Sequence, residues 1–100
     1  MQQLKPGQRW KSAACEGEVM VIRAPAAAGE LRCGGASMAT DAGARAPLDP
    51  AWADGIQMGK RYVDADESLE LLCIKGGGGG LAWNGAPLGI KAAKALPSSD

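Results

Sequence analysis

The clearest pattern of apolar and polar positions runs from Lys60 to Lys75, and it predicts two strands joined by a tight polar connection. Tyr62-Val63 ends the first strand, Asp64-Ala65-Asp66-Glu67-Ser68 turns the chain, and Leu69 to Ile74 forms the second. Short apolar runs separated by Asp and Ser residues are a hairpin signature, because those side chains satisfy the backbone of the turn. Leu69-Glu70-Leu71 alternates, so one face is expected to be wet there, whereas Leu71-Leu72-Cys73-Ile74 is continuously apolar, so the far end of this strand is expected to be covered on both faces. Five glycines from Gly76 to Gly80 argue against a helix here, since each costs about 1 kcal/mol in a helix interior.

A second hairpin follows. Asn84-Gly85 lies between Leu81-Ala82-Trp83 and Ala86-Pro87-Leu88-Gly89-Ile90. Both turn residues tolerate the positive φ of a type I′ turn. Pro87 lacks an amide donor, which places its arm at a sheet edge.

Earlier in the chain, Arg9-Trp10-Lys11 can begin a strand, and Glu16-Gly17-Glu18-Val19-Met20-Val21-Ile22-Arg23 is expected to form one, with three β-branched residues in four from Val19 to Ile22. Glu30-Leu31-Arg32-Cys33 reads as a short return strand, so residues 18–33 are expected to form a hairpin. Residues 36–59 read as a loop-rich insertion with one helical turn: Asp49 caps it, Pro50 occupies its first position and Gly55 ends it. Residues 40–45 have nothing to bury, 91–96 read as a short helical or extended tail, and 97–100 as a frayed end. Glu-Leu-x-Cys occurs at both Glu30-Cys33 and Glu70-Cys73, forty residues apart, and strand composition is enough to explain so short a match. The expected fold is mainly β: a small single-domain barrel or roll over residues 1–100, built from about three hairpins, with at most one or two short helical turns.

Composition makes the core thin. Of 100 residues, 19 are alanine, while Leu, Ile and Val together number 16 and Phe is absent. Burial of a Leu or Ile side chain stabilises by about 1.5–3 kcal/mol, against about 1–2 kcal/mol of backbone entropy for each ordered residue. A homo-oligomer or a protein partner would relieve that deficit. No run of about 18 apolar residues crosses a membrane, and the first residues lack the apolar segment of a signal peptide, so a cytoplasmic location with reduced thiols is expected.

Candidate chemistry is sparse. The chain has no histidine, which removes the commonest general base and metal ligand and disfavours an enzyme. Cys15, Cys33 and Cys73 could hold a metal as three thiolates or act as redox thiols, but they lack Cys-x-x-Cys spacing, and buried structural thiols are the ordinary alternative. Cys73 sits in an apolar run and is expected to be buried; Cys15, beside Glu16, is expected to be the most exposed.

The glycine run cannot be a phosphate loop, because Lys75 precedes it and a hairpin follows. It reads instead as a flexible or tightly folded connection. Asp64-x-Asp66 lacks the central glycine and the final glutamate of a calcium loop. Arg9-Trp10-Lys11 and Lys60-Arg61-Tyr62 interleave bases with aromatics, yet charges balance at 11 against 11, so nucleic acid is not an expected partner. Trp10, Trp52 and Trp83 would supply the core or, where exposed, anchor an interface.

These readings favour a small non-catalytic assembly, accessory or binding module that acts through a strand edge or a Trp-bearing face and needs no cofactor. The alternatives are a cysteine-based metal or thiol-redox protein, and a small enzyme subunit whose site a partner chain completes.

Overall fold

The computed structural model describes residues 2–41 and 45–91. Nine short strands and one 3₁₀ turn are found among them. In chain order the strands are β1 (Arg9–Lys11), β2 (Glu18–Arg23), β3 (Leu31–Cys33), β4 (Ala36–Ser37), β5 (Arg61–Val63), β6 (Glu70–Lys75), β7 (Leu81–Trp83), β8 (Ala86–Pro87) and β9 (Gly89–Ile90). They form two antiparallel sheets, one ordered β1-β2-β6-β5-β9 and the other β4-β3-β7-β8. The fold is mainly β, but the sheets do not close into a barrel.

Both sheet orders are palindromic about their centres, and the chain contains the reason. Leu4 to Met38 and Ile56 to Leu88 are two copies of one unit. Gly7-Gln8-Arg9-Trp10 recurs as Gly59-Lys60-Arg61-Tyr62, and Glu18-Val19-Met20-Val21-Ile22-Arg23 as Glu70-Leu71-Leu72-Cys73-Ile74-Lys75, both 52 residues on. The connection after the long strand is shorter in the second copy. Leu31 to Met38 therefore recurs as Leu81 to Leu88, only 50 residues on.

Strand register obeys this equivalence. In β2·β6, Met20 faces Leu72, its own counterpart, while Val19 faces Cys73 and Val21 faces Leu71. In β3·β7, Arg32 faces Ala82, with Leu31 opposite Trp83 and Cys33 opposite Leu81. An approximate two-fold axis therefore passes through the centres of both sheets. The hydrogen bonds repeat as well: the Gly7 amide donates to the Val21 carbonyl at 2.8 Å and the Gly59 amide to the Cys73 carbonyl at 2.8 Å. Even β9 has a counterpart, since Val63 faces Gly89 and Lys11 forms an isolated bridge with Ala39.

The core lies between the sheets. Leu31, Leu69, Leu71, Val19, Val21, Cys33 and Cys73 are its most completely buried side chains, and Trp10, Tyr62 and Trp83 are the aromatic rings packed with them. Two of the three cysteines thus serve as core residues, which offsets part of the shortage of large aliphatic side chains.

Several expectations are met. The hairpins at 61–75 and 81–87 form, and Asn84 (φ 52°) and Gly85 (φ 84°) have the positive φ a type I′ turn needs. Pro87 lies on edge strand β8. Asp49 caps the 3₁₀ turn by accepting the Ala51 amide at 2.9 Å.

Others are corrected. Residues 18–33 are not a hairpin: β2 and β3 belong to different sheets, and residues 24–30 carry the chain across. The segment 36–59 contains β4 and the 3₁₀ turn, which ends at Ala53 rather than Gly55. The Glu-Leu-x-Cys match is accidental, since Cys33 is equivalent to Trp83, and Cys73 to Val21. The tail readings at 92–100, including the frayed end at 97–100, lie outside the described residues, as do residues 42–44 of the loop.

Candidate functional site

Among the places where the fold breaks the internal repeat, two bring polar or thiol groups together. The first is a groove in the second half, of about 500 Å³, whose walls include Asp54, Ile56, Tyr62, Leu81, Leu88 and Ile90. Edge strand β8 and strand β9 bound it, and Ile90 at its rim is 55% exposed. At the equivalent backbone in the first half the side chain of Gln2 is bound. That carboxamide accepts a hydrogen bond from the Leu31 amide and donates to the carbonyls of Leu31 (3.1 Å) and Met38 (2.7 Å).

The equivalent backbone of the second half has the same form. The Leu88 amide donates to the Leu81 carbonyl at 3.0 Å, as Met38 does to Leu31 at 2.9 Å. Asp54, 52 residues after Gln2, lies beside Gly80. Among the described residues no side chain spans Leu81 and Leu88 as Gln2 spans Leu31 and Met38. The groove therefore offers backbone donors and acceptors that the chain's own first half shows how to fill.

The second place is a thiol site at the base of the loop between β1 and β2. Cys15 is half-buried, while Cys33 and Cys73 are buried; the apolar run predicts this for Cys73, and Cys15 is the most accessible of the three, as its setting predicts. The Sγ atoms of Cys15 and Cys33 lie 3.8 Å apart. Burial by itself would raise the Cys15 pKa, but hydrogen bonds from the Ser12 hydroxyl, the Gly17 and Gly79 backbone and Cys33 outweigh it and hold the thiol below its ordinary value. Burial pushes the Cys33 thiol up to about 12, against a weaker opposing hydrogen bond with Ser12. Cys73 is raised by the same desolvation, and its thiol donates to the Lys75 carbonyl at 3.2 Å.

The glycine run is explained here. A Cβ on Gly77 would stand 2.6 Å from both Cys15 Sγ and the Gly17 nitrogen. One on Gly79 would stand 2.7 Å from the Gly34 nitrogen and 3.2 Å from Cys33 Sγ. Gly77 and Gly79 form a packed wall against the thiols, and glycine is required at those two positions because backbone meets backbone.

The other sequence candidates fall as follows. Trp10 (7% exposed) and Trp83 (8% exposed) belong to the core, so of the three tryptophans only Trp52, half-buried on the 3₁₀ turn, remains near a surface. Among the described residues no group of three or more His, Cys, Asp or Glu side chains is placed to hold a metal ion. None of their helices is long and apolar enough to cross a membrane.

Glu70 was not singled out from the sequence. It is 3% exposed and held by Arg61 (3.0 Å) and Lys91 (3.1 Å), whose hydrogen bonds, Lys91 first, keep its carboxyl below the usual carboxylate range despite burial. The alternation of Leu69-Glu70-Leu71 predicts a wet face at Glu70, and the structure corrects this: Arg61 and Lys91 close over the carboxylate. The Gly-x-Arg-aromatic match at 7–10 and 59–62 was the signal that could have exposed the repeat. The chain matches no protein-family model, no curated protein and no solved structure.

Proposed function

We propose that this chain is a small non-catalytic binding module whose contact surface is the groove beside β8 and β9. Its ligand is a primary carboxamide, supplied by a glutamine or asparagine side chain of an extended protein segment. One observation carries the reading: the first half fills the equivalent backbone position with its own carboxamide, from Gln2, while the second half leaves it open. A carboxamide matches the available groups because it pairs a carbonyl acceptor with an amino donor. The Asp54 carboxylate in the groove wall favours the donor end and repels a glutamate of the same shape. Apolar stems of the ligand would lie against Ile56, Leu88 and Ile90.

The test is a titration with short capped peptides that differ only in one central residue, followed by backbone amide shifts in NMR. A glutamine peptide should saturate with a dissociation constant on the order of 1 mM, as suits one anchored side chain, and should move Leu81, Leu88 and Ile56. The glutamate peptide should bind at least tenfold more weakly. Equal response to the two peptides, or no saturable response, rejects the assignment.

A further inference from the structure

The geometry points to a thiol–disulfide exchange site at Cys15 and Cys33: Cys15 captures a low-molecular-weight disulfide from solvent, and Cys33 resolves the adduct into an intramolecular bridge. The site is separate from the groove and does not depend on the carboxamide reading.

Position supports this division of roles. Cys15 lines a cleft of about 200 Å³ in which three cations, Lys11, Arg45 and Lys75, stand against two acids, Glu16 and Glu18; Arg45 is paired with Glu16 at 3.2 Å, so the rim keeps one cation in excess beside the thiol. Cys33 is fully buried behind it with its sulfur 3.8 Å away, so only one of the two thiols meets solvent. The loop that presents Cys15 is closed by the Ser12 amide bonding to the Gly17 carbonyl at 2.9 Å. Within it, the Gly17 amide points at Cys15 Sγ at 3.3 Å. A donor aimed at sulfur stabilises its anion, and the anion is the attacking species.

The pairing is asymmetric within the repeat, which sets it apart from general core packing. Cys33 occupies the position filled by Trp83 in the second half, and Cys15 the position of Glu67. The smaller side chain at 33 makes room for the second thiol and for the Gly77–Gly79 wall against it.

The exchange balances in two steps. The Cys15 thiolate attacks one sulfur of the reagent; the reagent's S–S bond breaks, a mixed disulfide forms on Cys15, and one thiolate leaves. The Cys33 thiol then loses its proton to that departing thiolate and attacks Cys15 Sγ. The second reagent thiolate leaves as the Cys15–Cys33 bond forms. Two protein thiols are oxidised, and one reagent disulfide is reduced to two thiols. Because burial holds the Cys33 proton tightly, the second step is the slow one and the mixed disulfide accumulates first.

Glutathione disulfide is the probe, with intact mass and peptide mapping as readouts. Wild-type protein should carry an adduct on Cys15 at early times and should then lose it as a mapped Cys15–Cys33 bridge appears. Cys15 should react about 100-fold faster than either other cysteine, given its exposure and thiolate character. Cys33→Ala should retain the Cys15 adduct, and Cys73→Ala should still form the bridge. The bridged form should melt about 5–15 °C above the reduced form. First reaction at Cys33 or Cys73, or an adduct on wild-type Cys15 as persistent as in Cys33→Ala, overturns the proposal. If Cys33→Ala is unfolded by circular dichroism, the decision rests on the wild-type peptide map, where a bridge other than Cys15–Cys33, or none, is equally fatal.

Discussion

The two halves of this chain share one backbone plan and use it differently. In the first half Gln2 closes the end of β3 and β4, and Cys33 sits behind an accessible thiol. In the second half the corresponding groove is open, Trp83 replaces Cys33, and a buried carboxylate, Glu70, binds two cations where the first half has the half-buried Glu18. A duplicated unit needs only the register residues to keep its fold: the turn glycines Gly7 and Gly59, and the paired positions of β2·β6 and β3·β7. Positions off that framework are free to diverge. The departures from symmetry are therefore where function is to be sought, and each equivalent pair gives an experiment.

The largest difference is expected between Cys33 and Trp83. A thiol raised from 9.0 to about 12 binds its proton more tightly when folded. Its contribution is fully present below pH 9.0 and is lost as pH rises toward 12, at most about 4 kcal/mol over that window. Denaturation midpoints of wild type and Cys33→Ala should therefore converge above pH 9.0, where only wild type carries this loss; parallel pH profiles would refute it.

Next come Gly79 and its counterpart Gly29. Gly79→Ala forces a methyl group onto the Gly34 backbone and should cost about 3 kcal/mol. Gly29→Ala meets the buried Trp83 ring and the Asn84 carboxamide oxygen that accepts the Glu30 amide at 2.8 Å, so side chains rather than backbone must give way, and it should cost a similar amount. Gly78→Ala, whose nearest contact is 3.6 Å, should lie within about 0.5 kcal/mol of wild type in urea melts.

Glu70→Gln should cost about 2 kcal/mol, because Arg61 and Lys91 both lose a charged acceptor at a buried position. Glu18→Gln should change stability by less than about 0.5 kcal/mol. The sign with pH is opposite to that of Cys33. A depressed carboxyl contributes above the ordinary carboxylate range and loses that contribution as pH falls, so wild type and Glu70→Gln should draw together on acidification.

The smallest effect sharpens the groove comparison. Gln2→Ala should cost about 1 kcal/mol, leaving the Leu31 amide and the Met38 carbonyl without their side-chain partner. It should also open a second carboxamide site detectable by the same peptide titration. Asp54→Ala should leave thermal stability nearly unchanged.

Local features of this fold were legible wherever the signal was local. Asn84-Gly85 dictates its turn because both residues accept positive φ, and Asp49-Pro50 starts its helical turn because a carboxylate and a missing amide suit that end. The apolar run around Cys73 implied that thiol's burial, although Leu72 and Ile74 on the strand's other face are only half-buried, and the less apolar setting of Cys15 marked it as the most accessible of the three, which at half-buried it is. The β2–β3 hairpin failed because the sequence shows two strands and a loop but not which sheet receives the second strand. The repeat was obscured by a two-residue contraction between residues 24–30 and 76–80, which moves the offset from 52 to 50.

By itself, then, the sequence determined a β-rich chain with defined turns, a thin aliphatic core and no histidine chemistry, because periodicity and turn conformation depend on neighbouring residues alone. Tertiary structure decided what stands next to what. It brought Cys15 to Cys33 across 18 residues, pressed the glycine run against both thiols, and set Gln2 into the first half while leaving its mate position open. Those contacts join residues distant along the chain, and only the pairing of the two halves around their shared axis fixes them.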